Sequence, residues 1–131
     1  FIKFGLMKIK TVGDAIVALG GLNRYSSNAV KCCVEASSDL KAIANSFSPA
    51  FDLHVGIHMG SLVAGTVGKK TIQFDILGKD VNVAFNICDI SNNNQTLLSN
   101  EAWMCVRDEV FAKSVGLKRL KSGLEMELFE F

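Results

Sequence analysis

Between residues 28 and 57 the apolar side chains change their period, and that change restricts the chain to folds in which a helix packs on a sheet. From Asn28 to Phe47 the residues Val30, Cys33, Val34, Leu40, Ile43, Ala44 and Phe47 recur at helical spacing, with Lys31, Glu35, Asp39 and Lys41 between them. This is an amphipathic helix. Beyond Pro49, Phe51, Leu53, Val55 and Ile57 alternate strictly with Asp52, His54, Gly56 and His58. A period of two puts the four apolar residues on one face of a strand. Elements with a single apolar side must bury it against one another.

The remaining segments extend the same pattern. Residues 7–12 and 15–19 read as two strands around the turn Gly13-Asp14. A glycine-punctuated connection over 60–68 leads to a strand near 72–77, and Gly78 precedes a helix from Lys79 to about Ser91. Asn92 to Gln95 is a polar loop. A short strand at 96–98, a helix over about 100–111 and closing strands near 117–121 and 126–131 complete the chain. The expected class is α/β, an α+β sandwich with one mixed or antiparallel sheet. At 131 residues and 49% hydrophobic content, one domain over 1–131 is expected.

Charge and cysteine content narrow the function. Fourteen basic and thirteen acidic residues leave a net charge of +1, no electrostatic footprint for nucleic acid or an anionic membrane. No apolar stretch approaches the roughly 20 residues of a spanning helix. Cys32, Cys33, Cys88 and Cys105 fit neither a zinc pair nor a disulfide framework and read as packed thiols. The triplet Asn94-Gln95-Thr96 matches a glycosylation acceptor but has no secretory context.

Three constellations can carry chemistry. In Lys10-Thr11-Val12-Gly13-Asp14 a strand delivers a carboxylate onto a glycine turn; Asp14 either ligates Mg²⁺, which takes one or two carboxylates beside phosphate oxygens, or supports the turn. The stretch Gly60 to Lys70 lacks the G-x-x-x-x-G-K-[ST] order of a phosphate loop, so its glycines read as close packing and Lys69 and Lys70 as solvated. In Phe74 to Ala84 a strand, a glycine turn and a helix carry Asp75 and Asn82. Asp75 needs a donor, either an adenine amino group or a nearby lysine or amide. Asp80 is explained by the helix dipole. His54 and His58 share one side of a strand about 13 Å apart, too far to hold one metal, and read as structural.

Lys8-Ile9-Lys10-Thr11-Val12-Gly13-Asp14-Ala15 resembles the K-I-K-T-I-G-D-A block of class III adenylate and guanylate cyclases. His54 to Gly60 is similar to the R-I-G-I-H-T-G strand of that family, Val63 to Gly68 to its V-A-G-V-V-G, and Phe74 to Ala84 to its Y-D-x-x-G-x-x-V-N-x-A. Order and spacing agree over nearly the whole chain. The resemblance implies a ferredoxin-like nucleotidyl cyclase fold whose active sites form between two head-to-tail domains, in a homodimer or a heterodimer with a related domain. A lone copy is then expected to be inactive. It also implies a cytoplasmic catalytic domain without membrane contact by this segment, whatever anchors the full-length protein.

Carried over residue by residue, the resemblance makes Asp14 the second of two metal-binding aspartates, which hold two Mg²⁺ or Mn²⁺ ions against the phosphates of the substrate. Lys10 and Asp75 match the pair that reads adenine, Ile76 adds a backbone contact to the base, and Asn82 orients the ribose. The implied reaction is attack of the ribose 3′-hydroxyl of ATP on its own α-phosphate, giving 3′,5′-cyclic AMP and pyrophosphate. Lys121, in Leu120-Lys121-Ser122-Gly123, is similar to a lysine that reaches the triphosphate, once a gap is allowed.

Two departures stand against the pattern. Asn86 occupies the place of an arginine that stabilises phosphate charge, and an amide carries no charge with which to replace it. The F-x-D-I-x-G-F-T motif bearing the first metal aspartate is absent from the sequence. We expect an N-terminally truncated domain lacking the first strand and helices, with residues 1–7 ending the preceding helix and turn. The alternative reading is a degenerate cyclase-homology domain that binds nucleotide or regulates a partner.

Overall fold

The computed structural model describes residues 5–21, 28–71 and 73–131. A hairpin of β1 (Met7–Val12) and β2 (Ala15–Leu19) precedes α1 (Ala29–Ser46) and β3 (His54–Ile57). A second hairpin, β4 (Val63–Val67) and β5 (Gln73–Leu77), leads into α2 (Lys79–Ile90). β6 (Gln95–Ser99), α3 (Asn100–Val106), β7 (Lys113–Arg119) and β8 (Glu125–Glu130) follow. Most of the expected sequence elements lie within two residues of these.

The single expected sheet is instead a four-stranded mixed sheet, β3-β6-β8-β7, beside two two-stranded sheets, β1-β2 and β4-β5. In the larger sheet β3 runs parallel to β6 and the other pairs are antiparallel. Helices cover both of its faces, so neighbouring residues on one strand enter different cores. Leu98 and Phe129 pack with Val30, Val34, Ile57, Ala102 and Val106 under α1 and α3. Leu97 and Leu128 pack with Ile87 and Leu120 under α2. Trp103 stacks on Phe129 with ring centroids 4.3 Å apart.

Caps and short polar links hold the helices in place. Asn28 Oδ1 accepts from Lys31 N at 3.1 Å while its Nδ2 donates to the Cys105 carbonyl at 2.8 Å, which ties the start of α1 to α3. Ser99 caps α3 by accepting from Ala102 N. Buried Thr96 donates to Ser37, whose hydroxyl in turn donates to the Val34 carbonyl, so neither polar group is left without a partner.

Four expectations are corrected. The strand expected over 51–58 begins only at His54, because Asn94 accepts from Leu53 N and donates to Asp52, while exposed Phe51 lies against Phe47 with centroids 5.2 Å apart. The glycine stretch 60–68 contains a strand, β4. The helix expected over 100–111 ends at Val106, where Val110 N and Glu109 N both donate to the Val106 carbonyl in a tight turn. The strand expected near 117–121 starts earlier, at Lys113, and bulges at Val115. Ile72 and the first four residues, on which other expectations fell, lie outside the described residues. Among the described residues no helix is long and apolar enough to cross a membrane.

Candidate active site

The two hairpins bring one cation and one anion together. Along β1, Lys8 pairs with Ala18 and Lys10 with Val17, so Ile9 is an extra residue in the ladder. Successive residues of β2 face opposite ways, and the bulge therefore turns Lys10 to the face opposite Lys8. Strict alternation would have placed both lysines on one face. So turned, Lys10 Nζ lies 2.9 Å from Asp75 Oδ1.

Asp75 stands in β5 opposite Gly65 of β4. A Cβ added at Gly65 would meet nothing within 4 Å, so the space beside the carboxylate is open. Ile76 N donates to Asp75 Oδ1 at 2.8 Å, the same oxygen that takes Lys10. Oδ2 takes no hydrogen bond among the described residues. The Lys10 hydrogen bond, followed by that from Ile76 N, lowers the Asp75 pKa from its ordinary value of 3.8, so the group is a carboxylate and accepts only. Of the donors the sequence left open for Asp75, the protein itself supplies the lysine and the amide.

Of the other expected residues, only Ile76 bonds to this pair among the described residues. Asp14 is exposed in the β1–β2 turn after Gly13, whose φ is 60°, a conformation that glycine adopts freely. Asn82 is exposed on α2, and Asn86 follows one turn later on the same helix face. Lys121 is exposed in the β7–β8 turn, which Leu120 and Leu124 close with a 2.8 Å backbone hydrogen bond. Ile76 is buried and adjoins Asp75. None of Asp14, Asn82 and Lys121 bonds to the Lys10–Asp75 pair among the described residues. No three His, Cys, Asp or Glu side chains gather as a metal site among those residues.

The structure also joins residues that the sequence reading kept separate. His54, Gly56 and His58 all face α2. His54 Nδ1 donates to the Ser91 carbonyl just beyond the helix, at 2.9 Å, and His58 Nε2 lies 2.9 Å from Asp80 Oδ1 in its first turn. Between them a Cβ on Gly56 would stand 2.6 Å from Cys88 N and 2.7 Å from the Ala84 carbonyl. The α2 backbone thus rests directly on β3. Asp80, assigned from sequence to the helix dipole alone, also accepts from Ser61 N at 3.0 Å. The His58 hydrogen bond is the largest cause of the lowered Asp80 pKa. The alternation His54-x-Gly56-x-His58 was the available signal; the partners of its histidines, 22 to 41 residues away in sequence, were not.

Residues 2–129 match the family model of the adenylate and guanylate cyclase catalytic domain. The aggregation-specific adenylate cyclase of Dictyostelium discoideum is 30% identical over 96 residues, which is 73% of this chain and 7% of that protein. The guanylate cyclase domain of RhGC from Catenaria anguillulae, solved in complex with GTP, superposes with a TM-score of 0.90 at 18% identity, covering 98% of this chain and 73% of that one. The adenylyl cyclase CyaB from P. aeruginosa superposes with a TM-score of 0.82 at 19% identity, over 98% and 72%. At such identities the superpositions speak for the fold. The chain spans a small part of the length of the curated relatives it matches, and those relatives include both adenylate and guanylate cyclases.

Proposed function

The chain belongs to the adenylate and guanylate cyclase catalytic domain family, and within it we propose that it converts ATP to 3′,5′-cyclic AMP and pyrophosphate. The observation that carries this reading is the Lys10–Asp75 pair at 2.9 Å. Asp75 offers a free acceptor, Oδ2, beside open space. The exocyclic amine of adenine donates to such an oxygen, whereas guanine presents a carbonyl there and would set acceptor against acceptor. Lys10 spends one of its three N–H groups on Asp75, which leaves donors for a purine ring nitrogen. Holding the lysine and carboxylate together before substrate arrives lowers the cost of ordering them.

The neutral amide of Asn82 can bond ribose oxygens, and Lys121 supplies a cation of the kind a triphosphate attracts. Asp14 fits one ligand of a magnesium site, since it is a hard oxygen donor exposed on a turn. Two Mg²⁺ or Mn²⁺ ions, when bound, would supply activation of the 3′-hydroxyl and neutralise charge on the leaving pyrophosphate. Both hairpins expose apolar residues, among them Val12, Ile16, Val63 and Leu77. These support a head-to-tail homodimer, or a heterodimer with a related domain, whose partner completes the site.

One observation favours a second reading. Asn86 brings no charge to the helix face that bears Asn82, as suits a domain that binds nucleotide and regulates without turnover. The test is cyclic nucleotide production by the full-length protein, given ATP or GTP with Mg²⁺ or Mn²⁺. Cyclic AMP from ATP, with the preference eroded in Asp75→Asn, is the expected result. No product from either nucleotide by a folded dimer would establish the second reading.

A further inference from the structure

A continuous run of hydrogen bonds crosses the molecule at the end of β3. Ala102 N donates to Ser99 Oγ at 3.2 Å, and Ser99 Oγ lies 2.8 Å from His58 Nδ1. His58 Nε2 lies 2.9 Å from Asp80 Oδ1, and Asp80 Oδ2 takes the Ser61 amide at 3.0 Å. The proton positions follow from the acceptors. Ionised Asp80 can only accept, so Nε2 carries a proton; in the neutral ring Nδ1 then accepts from the Ser99 hydroxyl, whose oxygen still receives Ala102 N–H. Every group in the run has a partner in that arrangement.

The imidazole is enclosed, its side chain 5% exposed and that of Asp80 19%. Half-exposed Glu101 stands beyond it, with Oε2 3.8 Å from Nδ1. The chain also closes tightly around Asp80: a Cβ on Gly60 would fall 2.3 Å from Asp80 Cγ. The link therefore fixes three elements to β3 at one point, namely the N-cap of α3, the loop before β4 and the first turn of α2. That turn has no side-chain cap of its own, since its N-cap is Gly78. Asn82 lies two residues beyond Asp80, and Asp75 lies five before it on β5.

We propose that His58 is a positioning residue for the reaction, which through Asp80 sets where the first turn of α2 holds Asn82 relative to the Lys10–Asp75 pair. This rests on the ATP-cyclising reading above. A dipole effect or simple packing would not need the ring nitrogens in particular, and the two readings part on that point. Glutamine places an N–H where Nε2 stands and can keep the Asp80 bond. Asparagine reaches only the Nδ1 position and keeps the Ser99 side.

The experiment compares His58→Gln and His58→Asn in the full-length protein by kinetics with ATP, thermal melting and hydrogen exchange. The expected result is that H58Q stays near wild type while H58N loses about tenfold in kcat, with KM little changed and both variants melting together. Amides 81–83 should exchange faster in H58N than in H58Q. Equal losses in the two variants, in step with their melting temperatures, would overturn the proposal. If H58N does not fold, Gly60→Ala, whose added methyl crowds the Asp80 carboxylate while His58 is kept, decides in its place by the same readouts. Should the wild type make no cyclic nucleotide, the parent reading fails, and hydrogen exchange at 81–83 still tests the link; no difference between H58Q and H58N there refutes it.

Discussion

The four-stranded sheet and the two hairpins divide the molecule between packing and chemistry. Leu97, Leu98, Leu128 and Phe129, side by side on β6 and β8, are all buried, because helices close both faces of that sheet. On the hairpins, Val63 is 70% exposed and Leu77 54%, on the same face as Asp75. A charged pair in the first region would have lost its hydration with little in return. In the second it stays ionised and open to a ligand. Stability and recognition thus fall to different elements, and substitutions should separate them.

The sharpest break is expected at Asp14. Asp14→Ala should lower cyclase turnover of the full-length protein by about a thousandfold, while leaving the melting temperature unchanged, since the residue is an exposed turn position. A large fall in stability with little loss of turnover would erase the division between the two regions.

The converse comes from the core. Leu98→Ala removes a fully buried side chain packed under α1 and α3, and should cost about 3 kcal/mol in denaturant unfolding, with the activity per folded molecule retained. Gly56→Ala should follow at about 2 kcal/mol, because its methyl would meet the backbone of α2. An unchanged unfolding midpoint for Gly56→Ala would mean that α2 does not rest on β3 as described.

A third substitution probes the hairpin surface. Val63→Asp should change monomer stability by less than about 0.5 kcal/mol, yet raise the protein concentration at which specific activity is half-maximal. Activity independent of concentration in that variant would remove Val63 from the proposed dimer interface.

The smallest effect is the pH dependence of the Lys10–Asp75 link. Because the folded-state pKa of Asp75 is lowered from 3.8, the stability it contributes is complete above that ordinary value. It is lost as the pH falls through the lowered one. The difference in stability between wild type and Asp75→Asn should therefore hold through neutral pH and close only in acid below 3.8. Acid titration of urea midpoints reads it directly; a difference that closed between pH 5 and 7 would implicate another group.

What could be read from the sequence were the features whose cause is local. Period three to four produced α1, Gly78 marked the start of α2, Gly13-Asp14 produced the first hairpin, and the motif order pointed to the family and singled out Lys10 and Asp75, which the fold brings into contact. The strand β4 was missed because its glycine and alternation signals conflict: Gly65 and flanking small residues read as connection until β5 pairs with them.

Register, by contrast, belongs to the tertiary structure. The bulge at Ile9 decides which lysine meets Asp75, and only pairing with β2 reveals it. Likewise His58, Asp80 and Ser99 carry no sequence spacing that joins them; strand β3, helix α2 and the cap of α3 must first be packed. A local sequence sets which face of an element is apolar, since that depends on period alone. Which polar groups then find one another depends on how closely the elements approach, and here a glycine at 56 that lets α2 down onto β3 made that decision.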